Sequence, residues 1–396
     1  MVTFVENMEN KTNIKVIFAL TLVHFTGDFY SAFSIPLMPV FVSKLSLNMT
    51  QVGLMMGLIR LLAFIVQPTV GYLADRYQTR FFVLGGLGLA VFFIPLTGIA
   101  STYWLLVVCF ALGSFGSSMF HPSVTGMVPL YGGRNVGFSM SVFNTGGTLA
   151  FGIGPVFITW YVARFGLSAM PFTTLIGMAA LGYLFHAVPV PVSEGFRYHG
   201  FWGSLKEMFG HVWKPLVLIW LVMVVRAVVG QSFMTFMPIF LSAKGFSLVS
   251  LGLVTSIFIV SGTISGLAAG YFSDRLEIKT IFLVAHALMA PALLLFLYAD
   301  GYWVYACSAL AGFFVFATIP VSIVIAQKLA PKGRSMVASL MMGFAYGLGG
   351  AMTPITGKLA DMFAIQPVLH VLCFVPLITV GLVFFFPTLH AKKQPL

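Results

Sequence analysis

Charged residues are scarce in this chain of 396 residues, where Asp, Glu, Lys and Arg together make up only 8% of the positions. Soluble proteins carry about 25% charged residues, and a chain that is 59% hydrophobic cannot cover a water-facing surface with polar side chains. These proportions exclude soluble enzymes, nucleic-acid-binding proteins and disordered scaffolds. The net charge of +11 would indicate a nucleic-acid partner in a soluble chain, so here it needs a different explanation.

Cysteine is also scarce. Cys109, Cys307 and Cys373 each lie in an apolar run, and an odd number of apolar cysteines predicts neither a disulfide framework nor a metal site. A cleavable signal peptide is not expected either. The apolar stretch after Asn13 is longer than a signal-peptide core and lacks an early small-residue cleavage site. We therefore predict an uncleaved first membrane span.

Long hydrophobic runs are abundant. A helix needs about 20 mostly apolar residues to cross a hydrocarbon core of about 30 Å. Twelve segments satisfy this length: Ile14–Val42, Gln51–Leu73, Phe81–Ala100, Trp104–Pro129, Val136–Ala163, Pro171–Val190, Pro215–Ala243, Leu251–Phe272, Thr280–Leu297, Tyr302–Leu329, Met336–Leu359 and Val368–Phe386. Barrel strands would be shorter and would alternate in polarity. The sequence predicts an all-α membrane protein with an N-terminal six-helix bundle over 1–190, a cytoplasmic central loop over 191–214 and a C-terminal six-helix bundle over 215–396.

The basic residues predict the orientation of these spans. If the N-terminus is cytoplasmic, the outer side holds four of them, Lys44, Arg164, Lys244 and Lys358. The inner side then holds fifteen: Lys11, Lys15, Arg76, Arg80, Arg134, Arg197, Lys206, Lys214, Arg275, Lys279, Lys328, Lys332, Arg334, Lys392 and Lys393. An excess of Lys and Arg marks the cytoplasmic side. Both termini are therefore expected in the cytoplasm, and the positive net charge is mostly a topology signal.

An internal repeat with an offset of about 199 residues relates the two halves. GYLADR at Gly71–Arg76 returns as GYFSDR at Gly270–Arg275, and Gly53 corresponds to Gly252 and Pro155 to Pro354. Because each half contains an even number of spans, both halves enter the membrane from the same side, which makes the repeat parallel. Two six-helix bundles related in this way are a transporter architecture with the binding site near the midplane.

The segment GYLADRYQTR resembles the signature of the major facilitator superfamily, G-x-x-x-D-R-x-x-x-R, with Gln78 in place of the usual glycine. The resemblance implies a cytoplasmic latch that holds the outward-open state. There Asp75 would accept hydrogen bonds from a helix N-terminus and the arginines would pair with nearby acids. The residues that we assign to this latch are Gly71, Asp75, Arg76, Arg80, Asp274 and Arg275.

Three further stretches resemble the fosmidomycin-resistance branch of this superfamily: HFTGD at His24–Asp28, GSSMFHP at Gly116–Pro122 and GFAYGLGG at Gly343–Gly350. They are distributed along the whole chain. The resemblance implies a proton-driven exporter of a phosphonate antibiotic and other toxic compounds.

Three side chains that are charged at pH 7 lie near the centres of their spans: Asp28, Arg60 and Arg226. A charge at the bilayer centre costs from about 2.5 to over 10 kcal/mol, so each is a functional candidate. Asp28 is the one deep carboxylate and is predicted to carry the coupling proton, with Arg60 or Arg226 modulating its proton affinity. The surplus of positive charge favours an anionic or zwitterionic substrate. The alternatives are a static Asp28–Arg60 pair and an Arg that bonds to carbonyls.

Polar groups near these three residues are weaker candidates. His24 precedes Asp28 by one helical turn and would either share its proton or orient the helix through a structural hydrogen bond. His121 is a candidate for substrate or proton contact because it lies in the FHP stretch. Gln231 and Asn144 are predicted to line the cavity. His186, His286 and His370 lie singly in apolar runs and receive no role.

The run NTGGTLAFGIGP from Asn144 to Pro155 partly resembles the antiporter signature of proton-coupled exporters. We assign an antiporter-like helix bend to Gly147, Gly154 and Pro155, although close helix packing at small residues explains the same glycines. The signature lacks the glycine pair that should follow, because Ile158 and Thr159 occupy those positions.

The sequence as a whole predicts a proton-coupled exporter of a small anionic or amphiphilic toxic compound, with import of an organic anion by proton symport as the alternative. No motif for catalysis, a cofactor or a metal is present, so we expect a transporter that is not an enzyme and uses protons as its coupling ion. Its expected partners are a small-molecule substrate, protons and membrane lipid, without nucleic acid. The expected location is the bacterial inner membrane, and the expected state is a monomer.

Overall fold

The computed structural model describes residues 12–77, 79–190, 212–273, 275–329 and 343–386. Within these ranges the chain forms fifteen α-helices joined by short 3-10 and π-helical segments. The helices are α1 Ile14–Ser31, α2 Met38–Leu45, α3 Met49–Arg76, α4 Gly86–Leu96, α5 Tyr103–Tyr131, α6 Val136–Phe165, α7 Thr174–Ala187, α8 Trp213–Ala243, α9 Leu248–Ser273, α10 Ile278–Tyr298, α11 Trp303–Phe316, α12 Thr318–Leu329, α13 Ala345–Ala351, α14 Thr353–Phe363 and α15 Ile365–Val383.

Ten helical stretches among the described residues are long and apolar enough to cross a membrane. The predicted span Ile14–Val42 is not one of them because it is not one helix. α1 ends at Ser31, six residues of turn follow at 32–37, and α2 begins at Met38. The Ser34 hydroxyl donates to the Ser31 carbonyl oxygen at 3.1 Å within this turn. The predicted span Met336–Leu359 lies partly outside the described residues.

Local side-chain caps explain where two of the helices begin. The Asn13 side chain accepts a hydrogen bond from the Val16 backbone N–H at the start of α1, and the Thr102 hydroxyl accepts one from Leu105 at the start of α5. Each cap satisfies a backbone donor that has no partner inside the helix. In a membrane such unsatisfied groups are especially costly.

Packing divides the chain into two compact units. Unit 1 consists of Met1–Ser46, Ile65–Arg197 and Ser247–Gly252, and unit 2 consists of Leu47–Phe64, Tyr198–Phe246 and Leu253–Leu396. The boundaries differ from a simple division of the chain at its middle, because the first part of α3 belongs to unit 2 and the first residues of α9 belong to unit 1. The predicted bundles over 1–190 and 215–396 remain a prediction.

The first part of α3, which belongs to unit 2, and the first residues of α9, which belong to unit 1, make equivalent contacts. In unit 2, α3 approaches α14 so closely that a Cβ on Gly53 would lie 2.5 Å from the Thr353 carbonyl oxygen and 2.9 Å from Pro354 Cα. In unit 1, a Cβ on Gly252 would lie 2.6 Å from the Pro155 carbonyl oxygen. Gly53 and Gly252 are 199 positions apart, as are Pro155 and Pro354, so the sequence repeat is also a repeat of helix-to-helix contacts.

Candidate transport site

The centre of unit 1 contains an acid between two histidines. α1 places His24 and Asp28 one turn apart on the same face, and α5 contributes His121. His24 Nε2 lies 3.1 Å from Asp28 Oδ2, and His121 Nε2 lies 3.0 Å from Asp28 Oδ1. The Asp28 side chain is only 5% exposed, compared with 12% for His24 and 29% for His121. We refer to these three residues as the triad.

Both imidazole rings are oriented by backbone carbonyls. His24 Nδ1 lies 3.0 Å from the Phe143 carbonyl oxygen, and His121 Nδ1 lies 2.8 Å from that of Ser117. A carbonyl oxygen only accepts hydrogen bonds, so each Nδ1 is the protonated nitrogen. The tautomer follows from the hydrogen-bond partner. In the neutral form of either ring, Nε2 therefore carries the lone pair, and both Nε2 atoms face the carboxyl group of Asp28.

The two contacts of Asp28 are not equivalent. Oδ1 is buried and has no partner with hydrogen-bond geometry among the described residues, although it lies only 3.0 Å from His121 Nε2. The distance between Nε2 and Oδ1 is short enough for an ion pair, but the direction of this contact does not fit the geometry of a hydrogen bond. One oxygen of a buried carboxylate is therefore incompletely compensated.

α6 covers the triad closely because Gly147 has no side chain. A Cβ at this position would lie 2.7 Å from His24 Nε2 and 2.8 Å from Asp28 Oδ2. Phe143, one turn earlier on α6, stacks on the His24 ring with centroids 4.2 Å apart. Gly147 thus lies in the site itself. Gly154 packs near Ala32 and the Phe29 carbonyl, and α6 continues as one helix through Pro155.

The nitrogen and oxygen atoms of the triad that could bind a metal ion lie within 4.8 Å of one another. Among the described residues, this is the group of His, Cys, Asp and Glu side chains with such spacing. The spacing alone does not identify a metal site. The expectation that the protein uses neither a metal nor a cofactor stays untested.

The centre of unit 2 contains a buried cation. Arg226 on α8 is 2% exposed, and its Nη1 donates to the Val315 carbonyl oxygen at 3.0 Å. Its Nε has no hydrogen-bond partner among the described residues. A guanidinium has five N–H donors, so this arginine retains unused donors in a buried position. The nearby His286 is fully buried between the hydroxyls of Thr318 and Thr379, in agreement with a packing role.

A second arginine belongs to the same unit. Arg60 on α3 lies over the ring of Tyr346 on α13, with its guanidinium carbon 5.4 Å from the ring centroid, and its Nε also lacks a hydrogen-bond partner among the described residues. This distance is within the range of a cation–π interaction. The described ion pairs of Asp28 are with histidines, and the described contact of Arg60 is with a tyrosine.

Two glycines on α13 bring the two arginine-bearing helices close to it. A Cβ on Gly349 would lie 2.4 Å from Ala227 Cβ on α8, and a Cβ on Gly350 would lie 2.5 Å from Arg60 Cβ on α3. α13 therefore packs against the backbone next to Arg226 and against the stem of Arg60. This packing explains the glycines of the GFAYGLGG stretch and adds Tyr346 to the site, which sequence reasoning missed.

Unit 2 offers no acid to neutralise these arginines at depth. The sequence contains no Asp or Glu in α8 to α13, in α15 or in residues 47–64 of α3. The acid in its remaining helix, Asp361, is exposed and accepts hydrogen bonds from Met49 and Thr50 at the start of α3. Arg226 and Arg60 are therefore a candidate anion site.

The other predicted residues are less informative. Gln231 is buried in α8 and Asn144 is exposed on α6, and their cavity-lining role stays a prediction. Arg80 donates to the Phe185 carbonyl oxygen, and Arg275 lies over the ring of Tyr271 at 3.6 Å. The surroundings of Gly71 and the side chains of Asp75, Arg76 and Asp274 lie outside the described part of the structure. The latch therefore remains a prediction.

Comparison with known proteins identifies the family. The Major Facilitator Superfamily profile matches residues 17–354. The chain belongs to this superfamily. It is a membrane transporter with the twelve-helix fold of the family, so the predicted fold class is confirmed.

Individual relatives agree with this assignment. The fosmidomycin resistance protein of Escherichia coli is 23% identical over 94% of this chain and 93% of its own length. The uncharacterized MFS-type transporter YfnC of Bacillus subtilis is 21% identical with the same coverage. Among solved structures, a bacterial homolog of the human lysosomal transporter Spinster superposes with a TM-score of 0.79 at 14% identity, over 94% of this chain and 96% of that chain. The nucleoside transporter NupG gives a TM-score of 0.78 at 13% identity, over 94% and 98% of the two chains.

Proposed function

We propose that this member of the superfamily exports a small anionic or amphiphilic compound across the bacterial inner membrane in exchange for protons. The observation that carries the proposal is the buried Asp28 held between two imidazoles in unit 1. A buried carboxylate whose charge depends on its neighbours is typical of a proton relay in a transporter. We expect both termini to be cytoplasmic and the monomer to be the functional unit.

Asp28 is the residue that we expect to bind the coupling proton. α4 to α7 contain no other acid, so no second carboxylate in the helices around α1 is available for the task. In the state that faces the acidic exterior, Asp28 takes up a proton as substrate leaves. In the state that faces the cytoplasm, it releases that proton before or as the next substrate binds.

Arg226, Arg60 and Tyr346 support an anionic substrate. A guanidinium binds phosphonate or carboxylate groups through two parallel N–H donors, which a point charge cannot reproduce. Arg226 has a free Nε and only one described hydrogen bond, and unit 2 provides no deep acid to occupy it. A phosphonate substrate is also what the name of the Escherichia coli relative suggests.

A second candidate function, import of an organic anion by proton symport, is supported by the same charges. Protonation makes the triad more positive, and a more positive protein binds an anion more readily. This linkage favours movement of protons and anion in the same direction. Export is supported by the glycine run of α6 and by the resistance function named for the relative.

Transport in proteoliposomes tests the proposal and separates the two directions. We would measure fosmidomycin movement and proton flux together while imposing a pH gradient. Exchange predicts that fosmidomycin enters the compartment that protons leave, whereas symport predicts that both enter the same compartment. Asp28→Asn should abolish fosmidomycin accumulation driven by the gradient and keep substrate-for-substrate exchange, which needs no proton to cross.

Asp300→Asn is the matched control. Asp300 is an exposed acid that pairs with Lys244 at 2.6 Å, and its replacement should leave coupling unchanged. If Asp28→Asn still moves protons with fosmidomycin at the wild-type ratio, another residue carries the proton and the proposal is wrong. If fosmidomycin is not transported by the wild type, the proposed phosphonate substrate is wrong.

A further inference from the structure

We propose that the whole triad, and not Asp28 alone, is the coupling group, and that it exchanges two protons for each substrate molecule. This inference rests on the proposed proton coupling and holds for either direction of transport. It follows from the orientation of the two rings.

The orientation of the rings determines how many protons the triad requires. Because the Phe143 and Ser117 carbonyls hold both Nδ1–H groups, each neutral ring directs a bare Nε2 toward Asp28. With no proton in either Nε2–Oδ contact, lone pairs oppose each other at 3.1 and 3.0 Å around a buried carboxylate. One proton relieves one contact and leaves the other repulsive. Two protons place a proton in both contacts.

The charge of the triad changes sign between these states. Two neutral rings and one carboxylate have a net charge of −1, and adding two protons gives +1. The buried Oδ1 that lacks a directed hydrogen bond is the acceptor available to the second proton, on the side of His121. An incompletely paired buried charge is strongly destabilising, so a proton on His121 Nε2, which makes the ring a cation beside this oxygen, is favoured.

Among the described residues, the two histidines are the titratable groups that pair with Asp28. α1 itself contains Lys15 and Tyr30, of which Lys15 lies at its cytoplasmic start and Tyr30 donates to the Thr173 carbonyl oxygen. The helices that pack on α1 are α4 to α7. α6 faces the triad with Gly147 and the Phe143 carbonyl, and its one charged residue, Arg164, is in its last turn. α4 contains no charged residue, α5 contributes His121, and α7 carries His186 in its last turn.

The stoichiometry is measured as a reversal gradient. Purified transporter is reconstituted with EDTA present and with the membrane potential clamped at zero, and a pH difference of one unit is imposed. The fosmidomycin gradient that stops net flux should be about 100-fold for two protons and about 10-fold for one, because each proton contributes a factor of ten per pH unit. EDTA removes any metal ion that would compensate Asp28 instead.

Three variants assign the protons. His24→Gln and His121→Gln should each lower the reversal gradient to about 10-fold, because a glutamine can donate to Asp28 but cannot gain a proton. His186→Gln, an exposed histidine at the end of α7, should keep the wild-type gradient. A wild-type gradient of about 10-fold, or an unchanged gradient in His121→Gln, would overturn the two-proton inference while Asp28 coupling stands. Coupling that survives Asp28→Asn would instead overturn the proposed function.

A second measurement does not need a transported substrate. In protein labelled with ¹⁵N-histidine, subtraction of the His24→Gln and His121→Gln spectra isolates the two rings. At alkaline pH both rings should show a protonated Nδ1 and a bare Nε2, and on acidification both Nε2 atoms should become protonated. A neutral ring with its proton on Nε2 at either position, or a His121 that stays neutral as His24 becomes charged, contradicts the inference.

Discussion

The two units handle buried charge in opposite ways. Among the described residues, unit 1 holds the buried acid Asp28 between two histidines, whose charge depends on protons, whereas the helices of unit 2 place no buried acid beside its arginines. Histidine changes charge near physiological pH and arginine does not. Under the proposed function, two units that share a repeated helix arrangement have different chemistry: unit 1 responds to protons, and unit 2 keeps a fixed positive charge suited to an anion.

The difference lies in particular positions and not in the fold. Asp28 would correspond by the 199-residue offset to Ala227, and the neighbouring residue in unit 2 is Arg226. Each unit brings a glycine-containing helix against its charged residue, α6 through Gly147 in unit 1 and α13 through Gly350 in unit 2. The repeat gives both units the same helix arrangement, and different residues at a few buried positions give each unit its own charge.

Apart from the loss of coupling in Asp28→Asn, the largest expected effect comes from filling the space over the triad. Gly147→Ala places a methyl group 2.7 Å from His24 Nε2 and 2.8 Å from Asp28 Oδ2, so a helix or a ring has to move. Overpacking of this kind costs about 1–3 kcal/mol, and here the displaced atoms belong to the proposed coupling groups. We expect proton-driven transport to fall roughly tenfold or more, as measured by initial uptake rates in proteoliposomes.

Gly137→Ala on the same helix is the control, because a Cβ there meets nothing within 4 Å. Its transport rate should match the wild type. A Gly147→Ala variant that transports at the wild-type rate would show that the close cover of α6 has no bearing on coupling.

An effect of similar size is expected from the fixed charge of unit 2. Arg226→Lys keeps the positive charge but loses the planar arrangement of donors, so fosmidomycin binding should weaken by about 1–3 kcal/mol, or roughly 5- to 150-fold in Kd. Arg164→Lys, an exposed arginine in the last turn of α6, should bind normally. Isothermal titration at pH 7 measures both. Equal affinity of Arg226→Lys and the wild type would remove Arg226 from the anion site.

Much of the fold could be predicted from the sequence because lipid requires long apolar helices with internally satisfied backbones. Hydropathy located most helix ends within a few residues, for example Trp104–Pro129 against the observed Tyr103–Tyr131. It treated Ile14–Val42 as one span because a turn made of apolar residues and serines has the same hydropathy as a helix. The break depends on local hydrogen bonds such as that of Ser34, which composition does not reveal.

The candidate site was only partly predictable. His24 and Asp28 are one turn apart on a helix, so their pairing follows from sequence spacing. The approach of His121 to Asp28 and that of Arg60 to Tyr346 depend on contacts between residues that are 93 and 286 positions apart in the sequence. Sequence reasoning gave Asp28 an arginine as its modulator, whereas its described partners are histidines. The glycines of GFAYGLGG marked a close approach without indicating which helices meet there.

The smallest expected effect concerns an acid that contrasts with Asp28 in every respect. Asp361 is exposed, and its carboxylate accepts hydrogen bonds from the Met49 and Thr50 backbone N–H groups at 2.7 and 2.8 Å and from the Thr50 hydroxyl. It therefore caps the start of α3 from a distant part of the sequence. Removing a helix cap costs about 1 kcal/mol, so Asp361→Ala should lower the melting temperature by a few degrees, with Asp361→Asn in between because one acceptor oxygen remains.

The pH dependence of this cap has a definite sign. Burial raises the pKa of the Asp361 carboxyl, but the hydrogen bonds from Thr50 and Met49 outweigh burial and hold the pKa below its usual value. A group with a lowered folded-state pKa contributes its full stabilisation above the unfolded pKa of about 3.9 and loses it as pH falls through the folded pKa. The difference in melting temperature between wild type and Asp361→Ala should thus be constant from pH 5 to pH 8 and shrink below about pH 4. A difference that already shrinks between pH 7 and pH 5 would mean that the hydrogen bonds to α3 do not hold the carboxylate in its charged form.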